Sequence, residues 1–261
     1  MTAHSEALRA LHTGPDLLLL PNVWDATSAR MVEAAGFPAV ATGSGAVSAS
    51  LGYDDGEQTP FAEMLAAVGR IARAVSVPVT ADMESGYGMD PAELAAALLD
   101  AGVAGLNYED TDHAHSPHAV LLEPESQAER IAVLRQSGLV VNARVDTFRL
   151  VDLTPDDRLV ETIRRGRIYR EAGADCVYPI VMADSDHLRA VVAEVGGAVN
   201  AFARPELPSL NELRAIGIRR VSFGSGLARV ADAAVRSAVD ALYAGADHTV
   251  ITRPTLDPDG E

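Results

Sequence analysis

The sequence contains no lysine: all 21 of its basic residues are arginine. Without a lysine amine no side-chain Schiff base can form, which excludes Schiff-base aldolase and pyridoxal-phosphate chemistry. A P-loop, which needs its lysine, is excluded with them. Cysteine is nearly as scarce. One residue, Cys176, rules out an intrachain disulfide framework and predicts a reducing, cytoplasmic setting. Lying in an apolar run, it reads as a small buried hydrophobe and not as a nucleophile. No apolar run approaches the roughly 18 residues that span a membrane. The LLLL at 17–20 is strand-sized, and the acidic start (Glu6, Asp16) is unlike a signal peptide. Positive charge is in deficit too, with 21 basic against 37 acidic residues and a net charge of −16. That balance disfavours nucleic acid and anionic membrane as partners, since both need basic patches. An anionic substrate would need local neutralisation by arginine or a metal.

What is present is strand and helix in alternation. Apolar runs predict strands at 17–23, 39–43, 78–84, 105–110, 139–146, 176–181, 198–203 and 220–225. Helical spacing appears between them, at 60–75, 91–101, 126–137, 157–172, 186–195, 209–216 and 227–244, as in Leu94, Leu98 and Leu99. Asp90-Pro91-Ala92-Glu93 and Ser209-Leu210-Asn211-Glu212 read as helix starts. Glycines in EAAGF, LDAGV, REAGAD and RAIGI read as helix stops. Near-continuous apolar strands separated by helices predict a parallel sheet covered on both faces. Eight such units in 261 residues, 48% of them hydrophobic, fit a closed (β/α)8 barrel of the TIM type. No linker or composition shift divides 1–261, so one domain is expected.

The active site of such a barrel lies at the C-terminal ends of its strands. There the stretch PVTADMESGYG stands out, because acidic residues are poor strand formers and a buried charge needs a partner. Alternation puts Asp82 and Glu84 on one face, where two carboxylates repel unless a cation lies between them. Later strand ends add Glu109, Asp110, Arg144, Asp146, Asn200, Arg204, Ser222 and Gly224; earlier ones add Asn22, Trp24, Asp25 and Ser44 to Ala46. Asp54 and Asp55 follow in a long loop. A lone aspartate at a strand end usually caps a helix or shapes a turn, and a lone arginine such as Arg144 can be a structural ion pair. Acids on successive strands with an arginine opposite them make a site. Oxygen-only ligands suit Mg2+, with Mn2+ as the alternative. No His/Cys cluster argues for zinc. His113, His115 and His118 crowd one loop, which reads either as a polar lid or as a ligand set.

Taken in order, PNVWDATSARMVEAAGFPAVATGSGAVSASLGYDDGEQT, PVTADMESGYG, GLNYED, VNARVD and LRAIGIRRVSFGSGL resemble the isocitrate lyase/phosphoenolpyruvate mutase superfamily over nearly the whole chain. The resemblance implies a (β/α)8 barrel, often assembled as tetramers that swap a C-terminal helix, which uses Mg2+ to make or break C–C or P–C bonds beside a 2-oxo acid through an enolate. Asp82 resembles the principal metal ligand. Glu84 stands where a second aspartate is usual, and Glu109 matches the acid of the following strand. Asp55 resembles the aspartate near the metal and reacting group. Ser44, Gly45 and Ala46 fall where amides and a hydroxyl hold the substrate carboxylate, Trp24 resembles the aromatic beside it, and Arg144 the arginine that binds carboxylate and enolate oxygen. Asn200, at its strand end, is a further substrate-binding candidate.

The chain also departs from the family. Where the lyases carry a Lys-Lys/Arg-Cys-Gly-His loop, this sequence has DTDHAHSPHAVLLEPESQ. The lysine-containing gating loop of the phosphonate enzymes is absent as well. His113, His115 and Glu123 become the candidates for proton transfer, since histidine works near neutral pH. The leading expectation is a Mg2+-dependent lyase that cleaves a C–C bond in a small carboxylic acid. The alternatives are a P–C phosphonomutase or hydrolase and a carboxylate-binding protein without turnover. A homo-oligomer, dimer or tetramer, is expected.

Overall fold

The computed structural model describes residues 2–113 and 120–252. The first predicted strand is broken at Pro21 into β1 (Leu18–Leu20) and β2 (Asn22–Val23). Proline has no N–H to give to a ladder, so the run cannot continue as one strand. The break lets one run face two neighbours. β2 pairs with β3 (Val40–Thr42), and β1 pairs with β9 (Arg220–Ser222), the last strand of the chain. Between them lie β4 (Val79–Asp82), β5 (Gly105–Glu109), β6 (Val140–Val145), β7 (Cys176–Pro179) and β8 (Ala198–Phe202), each parallel to its neighbours. Because β1 and β2 are halves of one run, the sheet order β1-β9-β8-β7-β6-β5-β4-β3-β2 closes on itself as an α/β barrel of the TIM type.

The helices are α1 (Ala3–Thr13), α2 (Ala26–Ala34), α3 (Ser44–Leu51), α4 (Phe61–Ala72), α5 (Pro91–Asp100), α6 (Pro124–Gln136), α7 (Pro155–Glu171), α8 (Ser185–Val195), α9 (Leu210–Ile216), α10 (Gly226–Tyr243) and α11 (Thr249–Thr252). The predicted caps form. The Asp90 carboxylate accepts from the amides of Ala92 and Glu93, and Ser209 and Glu212 make a reciprocal capping box. On α5 the apolar stripe puts Leu94 and Leu98 fully inside, each burial contributing roughly 2 kcal/mol. No helix among the described residues is long and apolar enough to cross a membrane.

Helix α1 closes the floor of the barrel. Its Leu8 packs with Leu18, Leu20, Ala41 and Val140. Gly105 marks how tight this end is: a Cβ there would lie 2.5 Å from the Val140 carbonyl oxygen and 3.0 Å from Leu8. Above Leu8 the interior turns polar. The fully buried Arg220 donates through Nη2 to Asn107 Oδ1 at 2.9 Å, and Asn142 Nδ2 donates to the same oxygen at 2.8 Å. His12, from α1, stands 3.3 Å from Arg220 Nη1. The strands run from this floor to an upper rim where Asp82, Glu109 and Arg144 emerge.

Candidate active site

The first wall is the start of α3. The chain leaves β3 at Thr42 and enters the helix through Gly43, which has no side chain to cap it. The first amides of a helix have no partner within it and carry the positive end of its dipole. That of Ser44 is used: its N–H and Oγ both donate to Asp82 Oδ2 at 3.2 Å. At Gly45 a Cβ would stand 3.1 Å from Asp55 Oδ2 and 3.3 Å from Ser225 Oγ, so the glycine lets two other loops close in on the helix.

The acids converge on this wall, each gripped by protein donors. Asp82 keeps Oδ1 buried and without a hydrogen bond. Burial pushes its carboxyl up, against the opposing pull of Arg144 and Ser44. Glu84 sits in the left-handed region at φ 48, where it accepts from the Glu57 N–H at 2.8 Å and the Tyr87 hydroxyl at 2.6 Å. Its carboxyl is pushed up to about 7, chiefly by burial, with Asp55, Glu109 and Asp82 adding repulsion. Glu109 pairs with Arg144 and meets His113 Nε2 at 2.6 Å. Burial raises it to about 7 as well, and the contact in turn raises the His113 ring.

Arg144 is held in a fixed plane. Its Nε and Nη2 donate to the two oxygens of Asp146 at 2.7 and 2.8 Å, the bidentate fork that suits guanidinium and carboxylate. Asp146 also accepts from the Thr111 hydroxyl at 2.6 Å and from Arg149 at 3.2 Å, while its own N–H donates to Asp110. Beneath it, Asp110 takes the Tyr169 hydroxyl at 2.8 Å and Arg165 at 3.1 Å, all three side chains being buried.

A cavity of about 490 Å3 opens over these groups, lined by Ser44, Asp54, Asp55, Gln58, Glu84, Glu109, His113, Arg144 and Arg149. A second, of about 170 Å3, shares Ser44, Asp55 and Arg144 with it and reaches Asp82, Tyr178, Ile180, Phe202, Ser225 and Arg229.

Of the residues singled out in the sequence, Ser44, Gly45, Asp55, Asp82, Glu84, Glu109, His113 and Arg144 meet around these cavities. Ala46 is buried one position further into α3, and Trp24 packs against the hydrophobic core; neither lines a cavity. Asn200 lies inside the barrel, its Nδ2 bonded to Ser222 Oγ at 3.1 Å. Glu123 is exposed at the start of α6. His115 and His118 lie outside the described residues. Three charged contributors escaped the sequence reading: Arg149, Arg229 and Glu57. Arg149 follows five residues after Arg144, and Arg229 sits in the first helical turn past the last strand. Both positions are marked by the barrel pattern itself. Glu57 carries no such mark.

A divalent cation fits part of this arrangement. Among the described residues no trio of His, Cys, Asp or Glu side chains is drawn together as a ready cage. The reason is visible, since Glu84 and Glu109 turn to Tyr87, Glu57, His113 and Arg144. Yet the atoms that Asp82 and Asp55 can offer a cation in the smaller cavity are oxygens, and the unpartnered buried Oδ1 of Asp82 is the kind of atom a hard cation satisfies.

Comparison with known proteins gives the same class. Residues 8–243 match the phosphoenolpyruvate phosphomutase family, and the chain belongs to it. A candidate phosphonomutase from Burkholderia cenocepacia J2315 is 36% identical, with a TM-score of 0.83 over 92% of this chain and 100% of that one. The oxaloacetate decarboxylase of a Bradyrhizobium species is 30% identical over 91% of this chain and 82% of its own. A 2,3-dimethylmalate lyase, itself of the PEP mutase/isocitrate lyase superfamily, is 26% identical with a TM-score of 0.83, over 100% of this chain and 93% of that one. These relatives are lyases and phosphonomutases.

Proposed function

We propose that the chain is a Mg2+-dependent lyase that cleaves a carbon–carbon bond in a small carboxylic acid and releases a 2-oxo acid, with Mn2+ as the alternative cation. The observation that carries this reading is the buried, unpartnered Oδ1 of Asp82 beside the start of α3. Asp82 would hold the cation, with Glu84 and Glu109 as supporting carboxylates. A bound cation supplies positive charge that stabilises the oxyanion developing beside the breaking bond. The chain's own groups do the rest. The amide of Gly45, at the positive end of α3, receives the substrate carboxylate. Arg144, fixed by Asp146 and Glu109, adds charge at a set position. His113, gripped by Glu109 at the cavity wall, is the group placed to hold and deliver a proton.

Bond cleavage between carbons is favoured over phosphonate chemistry by the lining itself. Asp54, Asp55, Glu84 and Glu109 face the main cavity, and a phosphonate dianion among them would meet more repulsion than a carboxylate. The lyase and decarboxylase names of two relatives support the same choice.

Calorimetric titration with oxalate, a flat dianion that imitates a pyruvate enolate, tests the reading. Binding that needs Mg2+ and disappears in Asp82→Ala and Arg144→Ala is the expected result, followed by oxo-acid release in a screen of 2-hydroxy and 2-oxo acids. No binding with or without Mg2+ would overturn it. Binding without turnover of any acid would leave the carboxylate-binding protein.

The same reading takes 1–261 as one domain in the cytoplasm, assembled as a homo-oligomer. Support for assembly comes from α10, none of whose residues is buried and which leaves Val230, Val235 and Val239 in solvent. A light-scattering mass of 27.4 kDa, that of one chain, would refute it.

A further inference from the structure

Several donors around the smaller cavity are already committed. Ser44 gives both its N–H and its Oγ proton to Asp82. Arg144 gives Nε and Nη2 to Asp146 and pairs with Glu109. The phenol of Tyr178 is a buried donor that is not.

Tyr178 is the register partner of Arg144 on the neighbouring strand, so both side chains turn to the barrel interior. It is 4% exposed and lines the smaller cavity with Asp82 and Arg144, beside the apolar Ile180 and Phe202. A chain of hydrogen bonds stands behind its oxygen. Asn200 Nδ2 donates to Ser222 Oγ at 3.1 Å, and Ser222 Oγ donates to Tyr178 Oη at 3.3 Å. The rival acceptor for the Ser222 proton, Asn200 Oδ1, is further off at 3.4 Å. A hydroxyl has one proton to give and two lone pairs to fill. The Tyr178 oxygen therefore accepts from Ser222, while its own proton has no acceptor among the described residues. Burial pushes the phenol up, so that proton stays in place. Being neutral, the phenol is not drawn into an ion pair with the acids beside it, as Arg144 is.

Resting on the lyase reading, we propose that Tyr178 is a further catalytic residue: its O–H donates a hydrogen bond to the substrate oxygen on which negative charge develops as the carbon–carbon bond breaks. The electron pair of the broken bond passes into a new carbon–carbon double bond, the carbonyl pair moves onto that oxygen, and the phenol keeps its proton throughout. Ile180 and Phe202 exclude water on that side, where a fixed donor acts more strongly on developing charge. A hydrogen bond to a charged acceptor is worth about tenfold to a hundredfold in affinity, against about threefold for a neutral one.

The test is calorimetry in Mg2+ with two ligands: oxalate, which carries the charge of the enolate, and pyruvate, whose carbonyl oxygen is neutral. Tyr178→Phe should weaken oxalate by about tenfold or more and pyruvate by no more than about threefold, at an unchanged melting temperature. Ser222→Ala, which removes the donor behind the phenol and leaves the phenol in place, should weaken oxalate by about threefold and spare pyruvate. If Tyr178→Phe binds oxalate as the wild type does, the assignment is wrong and the proposed function stands. Equal weakening of both ligands would make Tyr178 a mere wall of the pocket, and the assignment is again wrong. Should Tyr178→Phe fail to fold, Ser222→Ala decides alone: a loss selective for oxalate supports the assignment, and no selective loss overturns it. If wild-type protein fails to bind oxalate at all, the proposed function falls and takes this inference with it.

Discussion

Glu57 and Glu84 hold each other's loops. The N–H of Glu57 donates to Glu84 Oε2 at 2.8 Å, and the Glu57 carboxylate collects the Ser85 amide at 3.0 Å, the Ser85 hydroxyl at 2.7 Å and the Tyr87 amide at 2.7 Å. Glu57, Glu84 and Tyr87 all have positive φ, at 60, 48 and 57. Non-glycine residues hold such angles only where the surroundings overdetermine them. One latch therefore joins the loop that carries Asp55 to the loop that carries Glu84.

Glu57→Ala should lower stability by about 2–3 kcal/mol, since three amide or hydroxyl donors lose a charged acceptor at once. Oxalate affinity should fall by roughly tenfold as Asp55 and Glu84 lose their fixed spacing. Glu57→Gly should be the more stable of the two variants by about 1 kcal/mol, because glycine holds a left-handed angle without cost. Urea unfolding of both variants checks the order; equal stabilities would remove the role assigned to strain.

His12 makes stability depend on pH. Burial first, and then Arg220, push its pKa down from 6.5 to about 4, so the folded protein keeps the ring neutral. Between those values the unfolded chain binds the extra proton, so stability falls as pH drops from 6.5 towards 4 and rises with pH over the same interval. The shift corresponds to about 3 kcal/mol. His12→Gln should flatten that part of the profile. Urea midpoints at pH 7 and pH 4.5 for both proteins measure it, and identical slopes would place the acid sensitivity elsewhere.

Arg165 is the counter-charge under the site. Its Nη1 donates to Asp110 Oδ2 and to the Leu122 carbonyl, and Asp110 in turn positions the Asp146 amide. Arg165→Met would strand a buried carboxylate, at a cost of about 3–5 kcal/mol. Adding Asp110→Asn should recover part of that loss, because the stranded charge is gone. A double variant no more stable than Arg165→Met alone, by thermal unfolding, would show that the pair does not act as a unit.

The elements with local signals were legible in the sequence. β5 and β6 appear where apolar runs predict them, and α5 and α9 start at the predicted caps. α6 and α7 begin two residues earlier than the spacing suggests, at Pro124 and Pro155, each a proline at a first helical position. α3 fell outside the predicted helices because SGAVSASL has small and apolar residues all round and no amphipathic face. At the site, acids at strand ends could be read from alternation. Glu57 could not, because its role follows from a left-handed turn and a partner 27 residues away, and neither leaves a periodic trace. Arg144 could be placed, but not its full commitment to Asp146 and Glu109, since spacing does not tell which of several nearby acids an arginine will choose.

The break at Pro21 has a consequence for biosynthesis. β1 waits for β9, which leaves the ribosome after every other strand of the barrel. Until it arrives, the nascent sheet has an open margin at β1 and another at β8, each a row of unpaired backbone groups able to recruit a neighbouring chain. Closure is therefore a late event in which the first and last strands of the barrel meet. A ribosome that stalls before residue 220 would leave behind eight strands with both margins uncovered, the form of this protein most prone to aggregate.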